Sequence, residues 1–435
     1  MSAFYNVDQP PFNSRSSARA IAAANNGLLF DPSDMTTLYQ DAAGTIPVTA
    51  VEQPVGKMLD KSGNGYHATQ SITASRPVLS ARYNLLTYSD PNLAVPTNWT
   101  VGFATGTYSH TLVDSFIDLG SNHKAVRQEQ SVLGRSYLWS AFPAVAGTTY
   151  TLKVRFNKSV TLVTSGLAQI VTVQSNSIVS QIAKSVSDID NDGLITITFT
   201  ATTTATQEIR IGLGANGNAA GIAEFTGWEI QIAASSLFQY QRIASSTDYD
   251  TDPRYFPKYL KFDGVDDYLN LPYISLYVGG EMSIIAARNA VSQSTDTYII
   301  SERSTTDADP KYFPSRQLAN GGNMDAYIAD DAAAVVLDTT GSAFGGAADK
   351  VIRSVVDTGS NLKLYKNGAL AASDNYTRAG TLTLNTTTIG ASVSTTTSNY
   401  AKMKLYGLLI TKSALTDAQR VRCERFLARK AGVML

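Results

Sequence analysis

The chain has 435 residues, more than one hydrophobic core can organise, because single cores stop growing at about 250–300 residues; two or three domains are expected. Hydrophobic residues make up 43% and charged residues only 16%, so the polar surface must be built largely from Ser, Thr, Asn and Gln, a surface suited to sugars or neighbouring subunits. Lys plus Arg number 35 against 36 Asp plus Glu, which leaves no net field to hold a phosphate backbone and excludes nucleic acid as a partner.

Residues 1–27 are polar, carry Pro10 and Pro11, and support at most a short Ala-rich helical turn around Ala18 to Ala24. They read as an extended arm that becomes ordered on a partner. This start lacks the basic-then-apolar pattern of a secretory signal, and no run of roughly eighteen apolar residues occurs, so no membrane insertion is expected. Turn formers at Asp31 to Asp34 and Ser62 to Gly65 make residues 28–83 a connecting segment of short strands and loops. From 84 to 245 the pattern becomes strand-like. Tyr150, Leu152, Val154 and Phe156 alternate with polar neighbours, and GLITITFTATTT repeats the period, which predicts an antiparallel sandwich. Residues 246–257, with Pro253 and Pro257, read as a linker, and a second strand series fills 258–435. Within it Asn367 and Gly368 predict a tight hairpin turn. One helix is predicted at the carboxyl end, opened by a Thr416-to-Gln419 capping box, with Cys423, Phe426 and Leu427 on one face, and with Arg420, Arg422, Arg425, Arg429 and Lys430 as its basic charge. The lone Cys423 reads as a small buried hydrophobe. The predicted fold is mainly β: two antiparallel β-sandwiches, an extended N-terminal arm and a short C-terminal α-helix.

The stretch FDGVDDYL, followed by LYKNGAL, TTIGA and KLYGLLITKSALTDAQRVRCERFLARKAG, is similar to the concanavalin-A-like, laminin-G-like jelly-roll family over residues 258 to 432. Phe262 to Leu269 match its opening strand, Tyr365 with Asn367 and Gly368 its turn, and Leu415 to Arg429 its closing helix. The earlier segments NLLTYSDPNLAVPTNWT, VAGTTYTLKVRFNKS, DGLITITFTAT and FTGWEIQIAASSLFQYQRI resemble carbohydrate-binding-module-like jelly rolls of tailed-bacteriophage particle proteins. That family's closing segment carries Gln-Leu-Glu where this chain has Ile230, Gln231 and Ile232. LFDPSDMTTLYQDAAGTIPVTAVEQPVGKMLDKSGNGYHATQ resembles a leader of phage and prophage virion proteins.

Candidate chemistry is sparse. Asp188, Asp190, Asp192 and Gly193 have the opening spacing of a calcium loop, although its twelfth position holds Phe199 instead of a bidentate acid; the alternative is an acidic hairpin turn. Asp263, Asp266 and Asp267 form a second acidic group, read either as calcium ligands or as a hydrogen-bonded turn. No strand shows the alternating acids of a glycoside hydrolase, which needs two carboxylates roughly 5–10 Å apart. His67, His110 and His123 are scattered and lack metal-ligand spacing. Sugar faces stack on aromatics. Trp139 and Trp228 lie in strand-like apolar runs and are assigned to the core, leaving Trp99, Tyr298, Tyr312 and Tyr327 as the candidate sugar platform.

The resemblance implies a non-catalytic virion structural protein, a decoration or fibre on a phage head, collar or tail, made in the host cytoplasm without a signal peptide and displayed on the virion surface. The arm would dock on other virion proteins, and outward lectin-like domains would bind cell-surface glycans with affinity raised by many copies. A homo-oligomer is expected, and trimers are common among such projections. No cofactor is implied apart from the calcium alternative. Two other classes compete: a pure cement protein with no ligand, and a polysaccharide-degrading enzyme with a facing pair of acids.

Overall fold

Segments in which apolar and polar residues alternate fold as antiparallel strands, and the protein is mainly β, with three helices among the described residues. The computed structural model describes residues 14–90, 99–105, 108–117, 124–158, 162–164, 169–175, 182–232, 239–290, 295–306, 311–317, 324–329, 334–338, 350–376 and 382–435. Two units divide the chain: residues 1–81 with 257–435 form unit 1, and residues 82–256 form unit 2. Unit 2 is thus an insertion within unit 1.

Unit 1 begins with α1 (Ser14–Ala24), followed by β1 (Leu28–Phe30), β2 (Leu38–Tyr39), β3 (Lys57–Met58), β4 (Ala68–Thr69) and β5 (Val78–Ser80). The chain then runs through unit 2: β6 (Thr100–Thr105), β7 (Tyr108–Asp114), β8 (Lys124–Ala144), β9 (Thr149–Phe156), β10 (Leu162–Thr164), β11 (Gln169–Ser175), β12 (Ile182–Ser185), β13 (Leu194–Thr200), β14 (Ala205–Asn216) and β15 (Ala219–Ile232). It returns to unit 1 as β16 (Tyr259–Asp263), β17 (Leu269–Leu271), α2 (Leu276–Gly279), β18 (Met282–Ala290), β19 (Thr297–Arg303), β20 (Lys311–Gln317), β21 (Met324–Ala329) and β22 (Ala334–Asp338). The last elements are β23 (Val351–Asp357), β24 (Asn361–Lys366), β25 (Ala369–Asn375), β26 (Thr386–Ile389), β27 (Ser392–Val393), β28 (Thr397–Ser398), β29 (Lys402–Thr411) and α3 (Asp417–Ala431).

In unit 1 a sheet ordered β25-β24-β23-β18-β29-β16-β5, with β1 on β29, faces a sheet ordered β2-β3-β4-β17-β26-β19-β20-β21-β22. Phe30, Leu260, Phe262, Ile284, Leu405 and Ile410 from the first meet Leu38, Met58, Leu271, Ile300 and Ile389 from the second in one core. Three findings correct the sequence reading. Residues 28–83 are not a connector: Leu28 pairs with Ile410, Thr69 with Asn270 and Ser80 with Tyr259, so this stretch supplies strands to both sheets. Residues 14–24 are not a free arm, because α1 buries Ala18, Ile21 and Ala22 and packs on α3 and β1, while residues 1–13 lie outside the described residues. Residues 246–256 are not a spacer either. Arg242 binds Asp90, Asp248 and Asp250, and Phe256 is buried against Tyr83, which makes this stretch the closing part of unit 2.

The helix at the carboxyl end forms as expected. The Thr416 hydroxyl accepts from the Gln419 amide, Gln419 reaches back to the Thr416 amide, and Cys423, Phe426 and Leu427 are buried. Burial pushes the Cys423 thiol up to about 12, which removes any thiolate. Arg420, one of the helix's basic residues, is buried: its guanidinium lies 3.7 Å from the centre of the Tyr365 ring, and it donates to Glu424 at 2.6 Å. Thr416→Ala removes the cap and should cost about 1 kcal/mol of unit 1 stability, read as a lower denaturant midpoint at unchanged m. The Asn367-Gly368 turn also forms as expected, with φ of 47° and 85° between the paired Lys366 and Ala369.

Unit 2 is organised by β8. Its first half pairs with β7 and β15, and its second half with β6 and β14, so one strand runs through both layers of the sandwich. The core between the layers holds Leu138, Phe142, Val171, Val173, Ile209 and Ile211 from one side and Leu152, Val154, Ile195, Phe225, Trp228 and Ile230 from the other.

Candidate functional site

Side chains alternate across a strand, so the register of β8 decides which aromatics face outward. Ser136, Leu138, Ser140 and Phe142 are buried, which places Arg135, Tyr137 and Trp139 on the outer face, each half-buried. Trp139 is therefore not a core residue. Among the described residues its ring has no aromatic or hydrogen-bonding partner, and it stands in a row across the sheet with Thr100 of β6 and Arg210 of β14. Tyr137, two residues back, lies over the α-carbon of Gly102, where a Cβ would meet the ring at 2.3 Å. The Arg210 guanidinium covers this ring at 4.8 Å, and Arg135 approaches it at 5.9 Å.

A polar row borders the aromatics. Glu208 of β14 stands opposite Gln174 of β11, and one of its oxygens, Oε1, accepts from Arg210 Nε at 2.5 Å and from Gln174 Nε2 at 3.2 Å. Arg135 is occupied differently, donating to the carbonyls of Gly214 and Ala215 at 3.4 Å each. An indole face, a stacked tyrosine, a guanidinium and a carboxylate thus share one sheet surface.

The candidate platform residues fall elsewhere. Trp99 is 4% exposed, donates from Nε1 to the Tyr88 carbonyl at 2.7 Å, and meets Trp228 edge to face at 5.6 Å. Its ring is enclosed by the unit 2 core and offers no face to a sugar. Tyr312 is fully buried, with its hydroxyl on Asp357 at 3.2 Å and its ring against Tyr277, and Tyr298 of β19 is also buried. Tyr327 lies on β21, and its side chain is outside the described residues.

The two acidic groups separate clearly. Asp188 accepts from the Ser185 amide and from Lys184, while Asp190 Oδ1 accepts from the amides of Asp192 and Leu194. These bonds belong to a short helical turn and the tight turn entering β13, and the carboxylates of Asp188, Asp190 and Asp192 do not converge. The hairpin reading of that segment is the one the geometry supports.

Asp263, Asp266 and Asp267 do converge, with one oxygen of each within 4.8 Å of the others, at the rim of unit 1 after β16. Asp263 Oδ1 accepts from the Val265 and Asp266 amides, and Asp267 Oδ2 from the Asp263 amide. The rings of Tyr268 and Tyr400 are neighbours 6.3 Å apart beside this loop. Burial, reinforced by the charges of Asp263 and Asp266, raises the Asp267 carboxyl to about 6 against the Asp263 amide, which lowers it. The folded state therefore holds this proton more tightly than the unfolded chain, so stability falls as pH rises from about 4 through 6. Asp267→Asn keeps an acceptor for the Asp263 amide and loses the charge. It should gain roughly 1–2 kcal/mol above pH 6 and nothing near pH 4. If the three carboxylates hold calcium, the ion should raise the melting temperature of the parent chain and leave that of Asp267→Asn unchanged.

Fold and sites define a mainly β protein of two sandwich units, and no helix among the described residues is long and apolar enough to cross a membrane. No family model matches the chain, and no curated protein matches it. Among solved structures, the CBM40 of the Ruminococcus gnavus IT-sialidase bound to alpha2,3 sialyllactose matches 38% of this chain and 96% of its own at 14% identity and a TM-score of 0.32. The binding domain of botulinum neurotoxin DC in complex with SialylT matches 40% of this chain and 43% of its own at 13% identity and 0.31. A mutant of the NanB sialidase from Streptococcus pneumoniae matches 38% and 27% at 14% identity and 0.32. At these scores the likeness carries no inference about ligand or activity.

Proposed function

We propose that the chain is a non-catalytic glycan-binding protein of the virion surface, with unit 2 as its binding module. The observation that carries the binding reading is the outer face of β8, where Trp139 stands beside the Tyr137–Arg210 stack and the Glu208 carboxylate. Aromatic faces match the C–H faces of a sugar ring, and flanking charged and amide groups bond its hydroxyls. The half-buried Trp139 indole leaves part of its face open on that surface. The virion assignment is supported by the resemblance of residues 29–70 and 84–242 to phage particle proteins.

Binding is favoured over hydrolysis by the enclosure of the two buried glutamates, while the third raised acid, Asp267, is held by the Asp263 amide in a tight turn. Glu229 is pushed up to about 8 by burial, and its Oε2 accepts from the Gln241 amide and from Gln231. Glu302, also raised by burial, accepts from the Leu276 and Tyr277 amides and the Thr387 hydroxyl. Both glutamates are buried and held by these bonds. The test has two parts. Peptides of this chain should be found in density-purified phage particles, and their absence would overturn the virion assignment. The intact protein should be retained on immobilised host-surface polysaccharide and Trp139→Ala should not; equal behaviour of the two would remove unit 2's outer face as the site.

A further inference from the structure

We infer that the β8 face selects neutral sugars presenting two adjacent hydroxyls and discriminates against acidic ones; this rests on the reading of that face as a glycan site. The deciding feature is how its charges are already used. Glu208 Oε1 is saturated by Arg210 Nε and Gln174, while its Oε2 has no partner among the described residues. Arg210 spends only Nε on Glu208, which leaves its two terminal nitrogens as donors at the same edge. The pair therefore offers an acceptor and donors side by side, at no net charge, next to the indole of Trp139, which is directly opposite Arg210 across the sheet.

A hydroxyl both donates and accepts. Two neighbouring hydroxyls on one ring can give a proton to Glu208 Oε2 and take one from Arg210 while the C–H face lies on Trp139. A carboxylate on the sugar can still accept from Arg210, but it has no proton for Glu208 Oε2 and sets a like charge against that acceptor, whereas a hydroxyl pair satisfies both groups. Arg135, the other cation of the face, is turned to the Gly214 and Ala215 carbonyls and adds no second positive charge to that edge.

The experiment presents the full chain, Trp139→Ala and Glu208→Gln to an array of neutral and uronic- or sialic-acid-bearing oligosaccharides, followed by calorimetry with mannan and with polygalacturonate. Parent protein should bind neutral members only. Glu208→Gln, which keeps the shape but loses the ionised acceptor, should weaken neutral binding about ten-fold or more, as expected for loss of a charge-assisted bond. Tighter binding of acidic than neutral members, or unchanged neutral binding by Glu208→Gln at an unchanged melting temperature, would overturn the specificity while Trp139-dependent binding preserved the function. Failure of every oligosaccharide to distinguish parent from Trp139→Ala would remove both.

Discussion

Replacing residues 82–257 by Asn-Gly is expected to leave a chain that folds cooperatively, whereas residues 258–435 alone should not fold. Ser80 and Tyr259 face each other across the β5–β16 ladder, so Ala81 and Lys258 are adjacent positions at its end. Opposed residues of an antiparallel pair sit about 5 Å apart, a gap that a two-residue turn closes. The two cores draw on separate residues. The truncated piece fares differently. It lacks Leu28, Phe30, Leu38, Val55, Met58 and Leu79, all fully buried. At about 1.5–3 kcal/mol each, their loss is on the order of 10 kcal/mol, as large as the whole stability of a typical domain. Circular dichroism and denaturant melts of both chains decide the matter. A folded 258–435 fragment would show that the amino-terminal strands decorate unit 1 and do not build it.

The second large effect separates two tryptophans. Trp99→Ala should cost about 3–5 kcal/mol, because it empties a buried site between Tyr88 and Trp228 and leaves the Tyr88 carbonyl without its indole donor. Trp139→Ala should change stability by less than about 1 kcal/mol and abolish glycan retention, since its ring is half-exposed and supports no core contact. Thermal melts and glycan retention of both variants make the comparison. The reverse pattern, a stable Trp99→Ala that no longer binds and a destabilised Trp139→Ala that does, would restore the assignment suggested by sequence alone.

That reversal shows where sequence reasoning stops. The segment RSYLWSAF carries apolar residues at both parities, Tyr137 and Trp139 on one and Leu138 and Phe142 on the other, so alternation alone names no inner face. The signal that could have found the site is the position of Arg135 in the same parity as Tyr137 and Trp139, since a charged residue marks the wetter side of a strand. Arg210, Glu208 and Gln174 reach this face through pairing of β14 and β11 with strands far along the chain, a relation no local pattern carries.

By itself the sequence determined what local chemistry decides. The β class follows from period-two alternation in segments such as TYTLKVRF, the turn at Asn367 and Gly368 from their tolerance of positive φ, and the last helix from its capping box and apolar face. Only the tertiary structure decided what rests on long-range contact. It made residues 28–80 part of the sandwich that also contains β29, set unit 2 into unit 1 as an insertion, drew Arg420 into a buried pair with Glu424, and turned Trp99 inward and Trp139 outward. The physical reason is plainest in the first of these. A short strand such as Leu28–Phe30 has too few residues to show a period, and its identity is conferred by the partner edge it completes.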